Sequence, residues 1–143
     1  MTLFNNPNLL APMLALIVWS LIVLVWLYAT RIPAMSKAGI KPGEAAEGAM
    51  DRLPAGVRAV ADNYNHLMEQ PTLFYALAVY SYLAGHQDEL AIGLAWTYVV
   101  LRVIHSLVQN LGNVIIVRFS IFGLSSLVLM IWAGKEVLAL IGG

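Results

Sequence analysis

The chain has 143 residues and no formal net charge, with 60% of its residues hydrophobic and only 11% charged. A soluble domain carries about a quarter charged residues, so this composition excludes an ordinary soluble protein and indicates an integral membrane protein. The zero net charge predicts no nucleic-acid partner. The absence of cysteine excludes disulfides, thiolate metal sites and a cysteine nucleophile.

Four apolar segments predict four membrane-spanning helices in a single domain, and therefore an all-α four-helix bundle. The predicted spans cover about residues 9–30, 58–84, 90–111 and 117–139. The first span contains no charged residue and is expected to end at Arg31 and Pro33. We expect it to be a retained span and not a signal peptide, because no basic residue precedes it and no small-residue cleavage motif follows it.

The second span is unusual because its continuous apolar part is short. Residues 72–85 would extend roughly 21 Å as a helix, whereas the hydrocarbon core of a bilayer is about 30 Å thick. We therefore expect the helix to begin near residues 57–61 and to draw the polar stretch 62–70 into the membrane. Pro71 is expected to kink this helix.

Positive charge in the loops predicts the orientation. The first loop and its flanks contain five Lys or Arg residues, the second loop contains none, and Arg118 lies at the edge of the third. The positive-inside rule then places loops one and three in the cytoplasm and both termini on the other side. Lys135 is an exception that is expected to snorkel to its own interface. The short loops suit a bacterial inner membrane.

Two ionisable residues lie at similar depth in the second and third spans. Measured from the second loop, Glu69 lies roughly 21 Å inward and Arg102 roughly 18 Å inward. A charge inside a membrane span is costly unless it has a partner. The matching depth therefore predicts a buried pair in which Glu69 is the counter-charge of Arg102.

Helical spacing extends this pair into a polar pocket. Residues three, four or seven apart share a helix face, which groups Asp62, Asn65, His66 and Glu69 on the second helix and Arg102, His105 and Gln109 on the third. Arg31 and Arg118 lie at the same, cytoplasmic end. A pocket with several cations and amides fits a small polar ligand that carries carboxylates. No metal is predicted, because His66 and His105 lack a third ligand at suitable spacing.

These residues resemble those of the MAPEG family, the membrane-associated proteins of eicosanoid and glutathione metabolism. The resemblance covers nearly the whole chain and rests on three motifs: Asn65-His-Leu-Met-Glu-Gln-Pro71, Arg102-Val-Ile-His105, and Arg118 sixteen residues after Arg102. It implies a homotrimer of four-helix subunits. It also implies that glutathione binds as co-substrate between neighbouring subunits, in the cytoplasmic half.

The resemblance also implies roles for individual residues. Arg118 matches the arginine that stabilises the glutathione thiolate, which makes it the expected catalytic residue. The expected glutathione-binding residues are Arg31, Asn65, His66, Glu69, Arg102, His105 and Gln109. Three positions depart from the family pattern: Ala61 replaces an arginine, Met68 a glutamate and Gln109 a tyrosine.

Two functions follow as hypotheses. The first is a glutathione-dependent transferase or peroxidase that acts on lipophilic electrophiles from the bilayer, with the thiolate held by Arg118. The second is a non-catalytic trimeric scaffold or lipid-binding protein of the same fold, which Met68 and Gln109 favour. A small transporter is a weaker third interpretation, because neither an inverted repeat nor a pair of broken helices is visible.

Overall fold

The computed structural model describes residues 8–44 and 48–142, and the regular structure in these ranges is entirely helical. The five α-helices are α1 (Leu10–Lys37), α2 (Ala55–Glu69), α3 (Pro71–Leu83), α4 (Glu89–Leu111) and α5 (Ile115–Gly142). Only Gln70 separates α2 from α3, so these two helices form one broken span. The prediction of an all-α four-span bundle is confirmed. Two short 3₁₀ turns, Pro42–Glu44 and Met50–Arg52, lie between α1 and α2.

Three of the helices are long and apolar enough to cross a membrane, judged by length and composition: α1, α4 and α5. Their outer faces expose large apolar side chains, for example Val25 at 68%, Leu111 at 73% and Leu140 at 71%. A water-soluble monomer rarely exposes contiguous apolar surface on this scale. The chain is therefore an integral, multi-pass membrane protein.

The helix α1 extends beyond Arg31 and Pro33, the residues that are predicted to end the first span. α1 continues to Lys37, with Pro33 inside it. A charged residue marks where a span leaves the apolar layer, but it does not stop the helix. A proline removes one backbone donor, and a membrane helix tolerates this loss. Arg31 consequently projects from helical backbone about one and a half turns before the end of α1.

The helix is interrupted directly before Pro71, the residue at which the sequence predicts a kink. α2 ends at Glu69, and Pro71 opens α3 at its first position, where its missing N–H costs no helical hydrogen bond. The Thr72 hydroxyl donates to the Glu69 carbonyl at 2.7 Å, and the Leu73 N–H donates to the Gln70 carbonyl at 3.0 Å. The polar half of the span and its apolar half are thus two helices with one junction residue.

The aromatic part of the core lies between α3, α4 and α5. The Phe74 ring stacks on the Tyr98 ring with a centroid distance of 4.8 Å and meets the Trp132 ring edge-on at 6.1 Å. All three side chains are fully buried. This packing fills the half of the bundle near the α3–α4 turn and leaves the polar residues of α2 and α4 to the other half.

Lys135 does not act as an isolated snorkelling residue. Its Nζ contacts Asp88 at 2.6 Å and Glu136 at 3.4 Å, and Glu136, only 4% exposed, contacts His86 Nδ1 at 2.5 Å. The reason is that the α3–α4 turn packs over the end of α5 and brings His86 and Asp88 within reach. This second polar cluster at the α3–α4 end is absent from the sequence-based prediction.

Candidate functional site

Arg102 is fully buried, but it does not pair with Glu69. Its Nη2 donates to the main-chain carbonyl of His66 at 3.0 Å, while its Nε and Nη1 have no hydrogen-bond partner among the described residues. The Glu69 side chain is 67% exposed and contacts His66 Nδ1 at 3.2 Å. The predicted buried Glu69–Arg102 pair is therefore wrong as a direct contact, although Glu69 lies near enough to interact electrostatically with the guanidinium.

The apolar residues of α2 explain this outcome. Val60 and Leu67 are buried and place their helix face against the bundle, and this face also carries Asn63. Asp62, Asn65 and Glu69 therefore point outward. The buried amide of α2 is Asn63, whose Oδ1 accepts a hydrogen bond from the Ser106 hydroxyl at 3.0 Å. Its spacing of three and four residues from Val60 and Leu67 is the signal that could have identified it.

The predicted polar face of α4 is confirmed. Arg102, His105 and Gln109 are all buried, each at most 3% exposed. In the described ranges, neither His105 Nδ1 nor the side-chain amide of Gln109 has a hydrogen-bond partner.

A cavity of about 450 Å³, which we call the polar cavity, lies between α2, the end of α1 and the α1–α2 connection. Its polar lining residues are Arg31, Asp51, Arg58, Asp62, Asn65 and Asn113. Arg58 contacts Asp51 at 3.9 Å, a loose and exposed pair. The cavity thus contains two of the predicted binding residues, Arg31 and Asn65, and two arginines that could hold carboxylates.

A second cavity, of about 390 Å³, is lined by both polar and apolar side chains, and we call it the mixed cavity. Its lining residues are His66, Glu69, His105, Ile115, Arg118, Phe119 and Phe122. The His66 and His105 rings meet edge-on at 6.2 Å, and the His105 and Phe122 rings are 6.4 Å apart. One side therefore offers polar and titratable groups, and the side formed by α5 offers aromatic surface.

Arg118 connects the two cavities. It lines the mixed cavity, and its Nη1 donates to Asn113 Oδ1, which belongs to the polar cavity, at 2.5 Å. Asn113 has a φ of 48° and closes α4 through its N–H, which donates to the Val108 carbonyl at 2.7 Å. Asparagine is one of the few residues that adopts this left-handed conformation readily. Asn110, Gly112 and Asn113 are predicted from the sequence to close the third span, but the contact of Asn113 with Arg118 is not predicted.

The predicted site residues thus fall into four groups. His66, Glu69, His105 and Arg118 share the mixed cavity, whereas Arg31 and Asn65 share the polar cavity. Gln109 lines a smaller cavity of about 230 Å³ between the start of α2 and the end of α4. Arg102 is turned into the bundle and lines neither the polar cavity nor the mixed cavity. No group of three or more His, Asp or Glu residues that could hold a metal ion occurs within residues 8–44 and 48–142.

Comparison with known proteins gives one match. A sequence model of the MAPEG family matches residues 9–138, a range that includes every lining residue of the polar and mixed cavities. Searches of curated proteins and of solved structures give no significant match.

Proposed function

The chain belongs to the MAPEG family, and from this premise we propose that it is a glutathione-dependent transferase or peroxidase acting on lipophilic electrophiles. The observation that carries the proposal is the position of Arg118 between a polar cavity and a cavity with an aromatic wall. A reaction between a charged peptide thiol and a lipophilic molecule needs a polar binding site and an apolar binding site that adjoin. The guanidinium is the group that would hold the sulfur there.

Glutathione suits the polar cavity in size and charge. The volume of about 450 Å³ lies within the range of small-molecule pockets. Arg31 and Arg58 would bind the two carboxylates of the tripeptide, since a guanidinium binds a carboxylate through two parallel hydrogen bonds. The exposed Asn65 amide would pair with the peptide backbone. In this arrangement the thiol end extends towards Asn113 and Arg118.

Arg118 would then lower the pKa of the thiol by stabilising the thiolate. In a transferase reaction, the sulfur attacks an electrophilic carbon of a molecule lying against Phe119 and Phe122, and a C–S bond forms. Either the bond to a leaving group breaks and this group departs with the electron pair, or a C=C π bond opens and the resulting anion takes a proton from water. In a peroxidase reaction, the sulfur attacks a peroxide oxygen, the O–O bond breaks, and an alcohol leaves after protonation. A second glutathione then reduces the sulfenic acid of the first to the disulfide and releases water. The chain supplies no nucleophile, in keeping with its lack of cysteine.

We also propose that three copies assemble and that neighbouring copies complete each glutathione site. The support is a set of unpartnered buried polar atoms near the end of α4, which includes the side-chain amides of Gln109 and Asn110. Both are close to the polar cavity along the chain, and a second copy could satisfy them. In the proposed orientation, this end faces the cytoplasm of a bacterial inner membrane, because the first loop carries the positive charge.

The non-catalytic scaffold is the second candidate. The observation that favours it is Arg102, whose guanidinium bonds to the backbone of α2 and lines neither the polar cavity nor the mixed cavity. Glu69, which contacts His66 at the surface, likewise needs no ligand. A polar network that only joins helices would have these contacts.

A thermal shift and a turnover measurement separate the two candidates. We expect glutathione at a hundred times its Kd to stabilise the detergent-solubilised protein by about 2.7 kcal/mol. Arg118→Ala should keep most of this stabilisation but lose about 100-fold or more of the turnover of glutathione with nonenal, because the thiolate loses its cation. Arg52→Ala is the matched control, an exposed arginine at the same end that lines neither cavity. Absence of both stabilisation and turnover in the wild type would favour the scaffold.

A further inference from the structure

Gln70, the single residue between α2 and α3, makes the polar contacts that join this break to the rest of the bundle. Its Nε2 donates to the Ser126 hydroxyl of α5 at 2.6 Å, and its Oε1 accepts from the Tyr98 hydroxyl of α4 at 3.2 Å. A longer contact, 3.4 Å, joins the same Oε1 to the Ser125 hydroxyl of α5. A single amide side chain therefore connects the helix break with two other helices. Neither the predicted pocket nor the proposed chemistry uses it.

The contact with Ser126 continues into the wall of the mixed cavity. The Ser126 hydroxyl has one hydrogen, which it donates to the Phe122 carbonyl at 2.8 Å, so it can accept the Gln70 hydrogen at the same time. Phe122 lines the mixed cavity and lies one helical turn before Ser126. The chain of bonds Gln70–Ser126–Phe122 thus links the α2–α3 junction with the aromatic wall.

The opposite wall depends on the same residue. His66 lies one helical turn before Gln70, and Glu69 is its immediate neighbour; both line the mixed cavity from α2. A proline follows Gln70 and begins α3, so α2 and α3 are two separate helices that meet at this junction. Side-chain contacts must hold the end of α2 at a fixed distance from α5.

We propose that Gln70 is a positioning residue that sets the distance between the α2 wall and the α5 wall of the mixed cavity. The effect on substrate choice rests on the proposed function: the cavity width determines which lipophilic molecules fit beside Arg118. Loss of the Gln70–Ser126 bond lets the two walls separate and relaxes discrimination between short and long substrates. The glutathione side is unaffected, because neither Gln70 nor Ser126 lines the polar cavity.

The first test measures the distance itself and needs no activity. Because the chain contains no cysteine, spin labels can be placed at Met68→Cys on α2 and Leu124→Cys on α5, both exposed positions. Labelled chains are diluted with excess unlabelled chain, so that double electron–electron resonance reads distances within one copy. We expect one narrow distribution in the parent protein and a broader or longer one in Gln70→Leu and Ser126→Ala.

Two variants of α5 serve as controls in this test. Ser120→Ala removes a hydroxyl whose one hydrogen bond within residues 8–44 and 48–142 goes to the Ile116 carbonyl of its own helix, and it should leave the distribution unchanged. Ser126→Thr retains the hydroxyl and should restore the narrow distribution. An unchanged distribution in both Gln70→Leu and Ser126→Ala would overturn the proposal, whether or not the protein turns over glutathione.

The second test measures selectivity with hexenal and nonenal as lipophilic partners of glutathione. In this reaction the sulfur bonds to the β-carbon of the alkenal, and the resulting enolate takes a proton from water. We expect Ser126→Ala to change the ratio of kcat/KM for the two aldehydes by about threefold or more, with the KM for glutathione nearly constant. An unchanged ratio would contradict the role in substrate choice. Absence of turnover in the wild type would refute the proposed function, and the distance measurement would still decide the role of Gln70.

Discussion

The buried Arg102 guanidinium donates its hydrogen bond to the main-chain carbonyl of His66, 3.0 Å away, and not to the carboxylate of Glu69. This contact ties α4 to the last turn of α2, just before the helix break. Only one of the three guanidinium nitrogens is bonded in the described part of the chain. Arg102 therefore connects helices without lining the polar cavity or the mixed cavity.

The position of Arg102 predicts that its charge is dispensable for folding and for glutathione binding. Replacing a buried charge with an apolar residue of similar volume is often neutral or stabilising, so Arg102→Met should unfold at or above the wild-type temperature. Arg102→Ala should lose about 2–5 kcal/mol, because it leaves a cavity. Thermal unfolding with and without glutathione measures both effects. If Arg102→Met is stable but glutathione no longer stabilises it, the guanidinium contacts the ligand in the assembled protein.

Asn113 is predicted to orient Arg118. Asn113→Gly keeps the positive φ and removes the side-chain acceptor, so the fold should stay near wild-type stability while turnover with glutathione falls about tenfold. Asn113→Asp keeps a hydrogen-bond acceptor but places a negatively charged carboxylate next to the Arg118 guanidinium. Thiolate formation should then need a higher pH, visible as a shift of the pH–rate profile to the alkaline side. Equal turnover in wild type and Asn113→Gly would show that Arg118 needs no such support.

Asp88 is predicted to stabilise the α3–α4 end in a pH-dependent way. Its hydrogen bond from Lys135, together with that from the Ala91 N–H, lowers the pKa of its carboxyl below the ordinary value of 3.8. The stabilising contribution is therefore complete above pH 3.8 and is lost as the pH falls through the lowered value. The difference in unfolding temperature between the wild type and Asp88→Asn should therefore shrink as the pH falls through this acidic range. The other carboxylates are the same in both proteins, so their effect cancels in this difference. At neutral pH, Asp88→Asn should lower the free energy of unfolding by at most about 1 kcal/mol, because Asp88 in this ion pair is half exposed.

Asp88→Ala provides the matched comparison for the helix cap. It removes the acceptor for the Ala91 N–H at the start of α4 as well as the charge, so it should cost about 1 kcal/mol more than Asp88→Asn. Equal stability of the two variants would mean that the cap contributes nothing.

The buried Glu136 is predicted to depend on His86. Truncating His86 to alanine leaves a carboxylate that is 4% exposed and keeps Lys135 as its charged partner, and this should cost about 1–3 kcal/mol. The double variant His86→Leu with Glu136→Leu should be less destabilised than His86→Ala, because no buried carboxylate is left without its His86 partner. Chemical unfolding in mixed micelles measures both. A double variant as unstable as the single one would show that packing of the turn, and not the charge, is what matters.

The contrast between α4 and α2 shows how far the sequence leads. On α4, the polar residues at spacings of three and four are flanked by apolar residues on the remaining faces, so their shared buried face could be predicted. On α2, polar residues lie on two different helix faces, one with Asn63 and one with Asp62, Asn65 and Glu69, and the sequence does not show which face is buried. A shift of one residue rotates a side chain by about 100°, and the choice between Asn63 and its neighbours depends on which apolar residues the bundle accepts.

The sequence by itself determined a four-span helical membrane protein, a distortion of the second span at Pro71, and a polar half-bundle built on Arg102, His105 and their neighbours. These features follow from local properties: apolar length, proline chemistry and helical spacing. Only the tertiary structure decided that Glu69 faces outward, that Arg118 meets Asn113 between two cavities, and that Lys135 joins His86, Asp88 and Glu136. Such contacts link residues far apart in the chain, and their partners depend on how the helices rotate and pack, which no local pattern specifies.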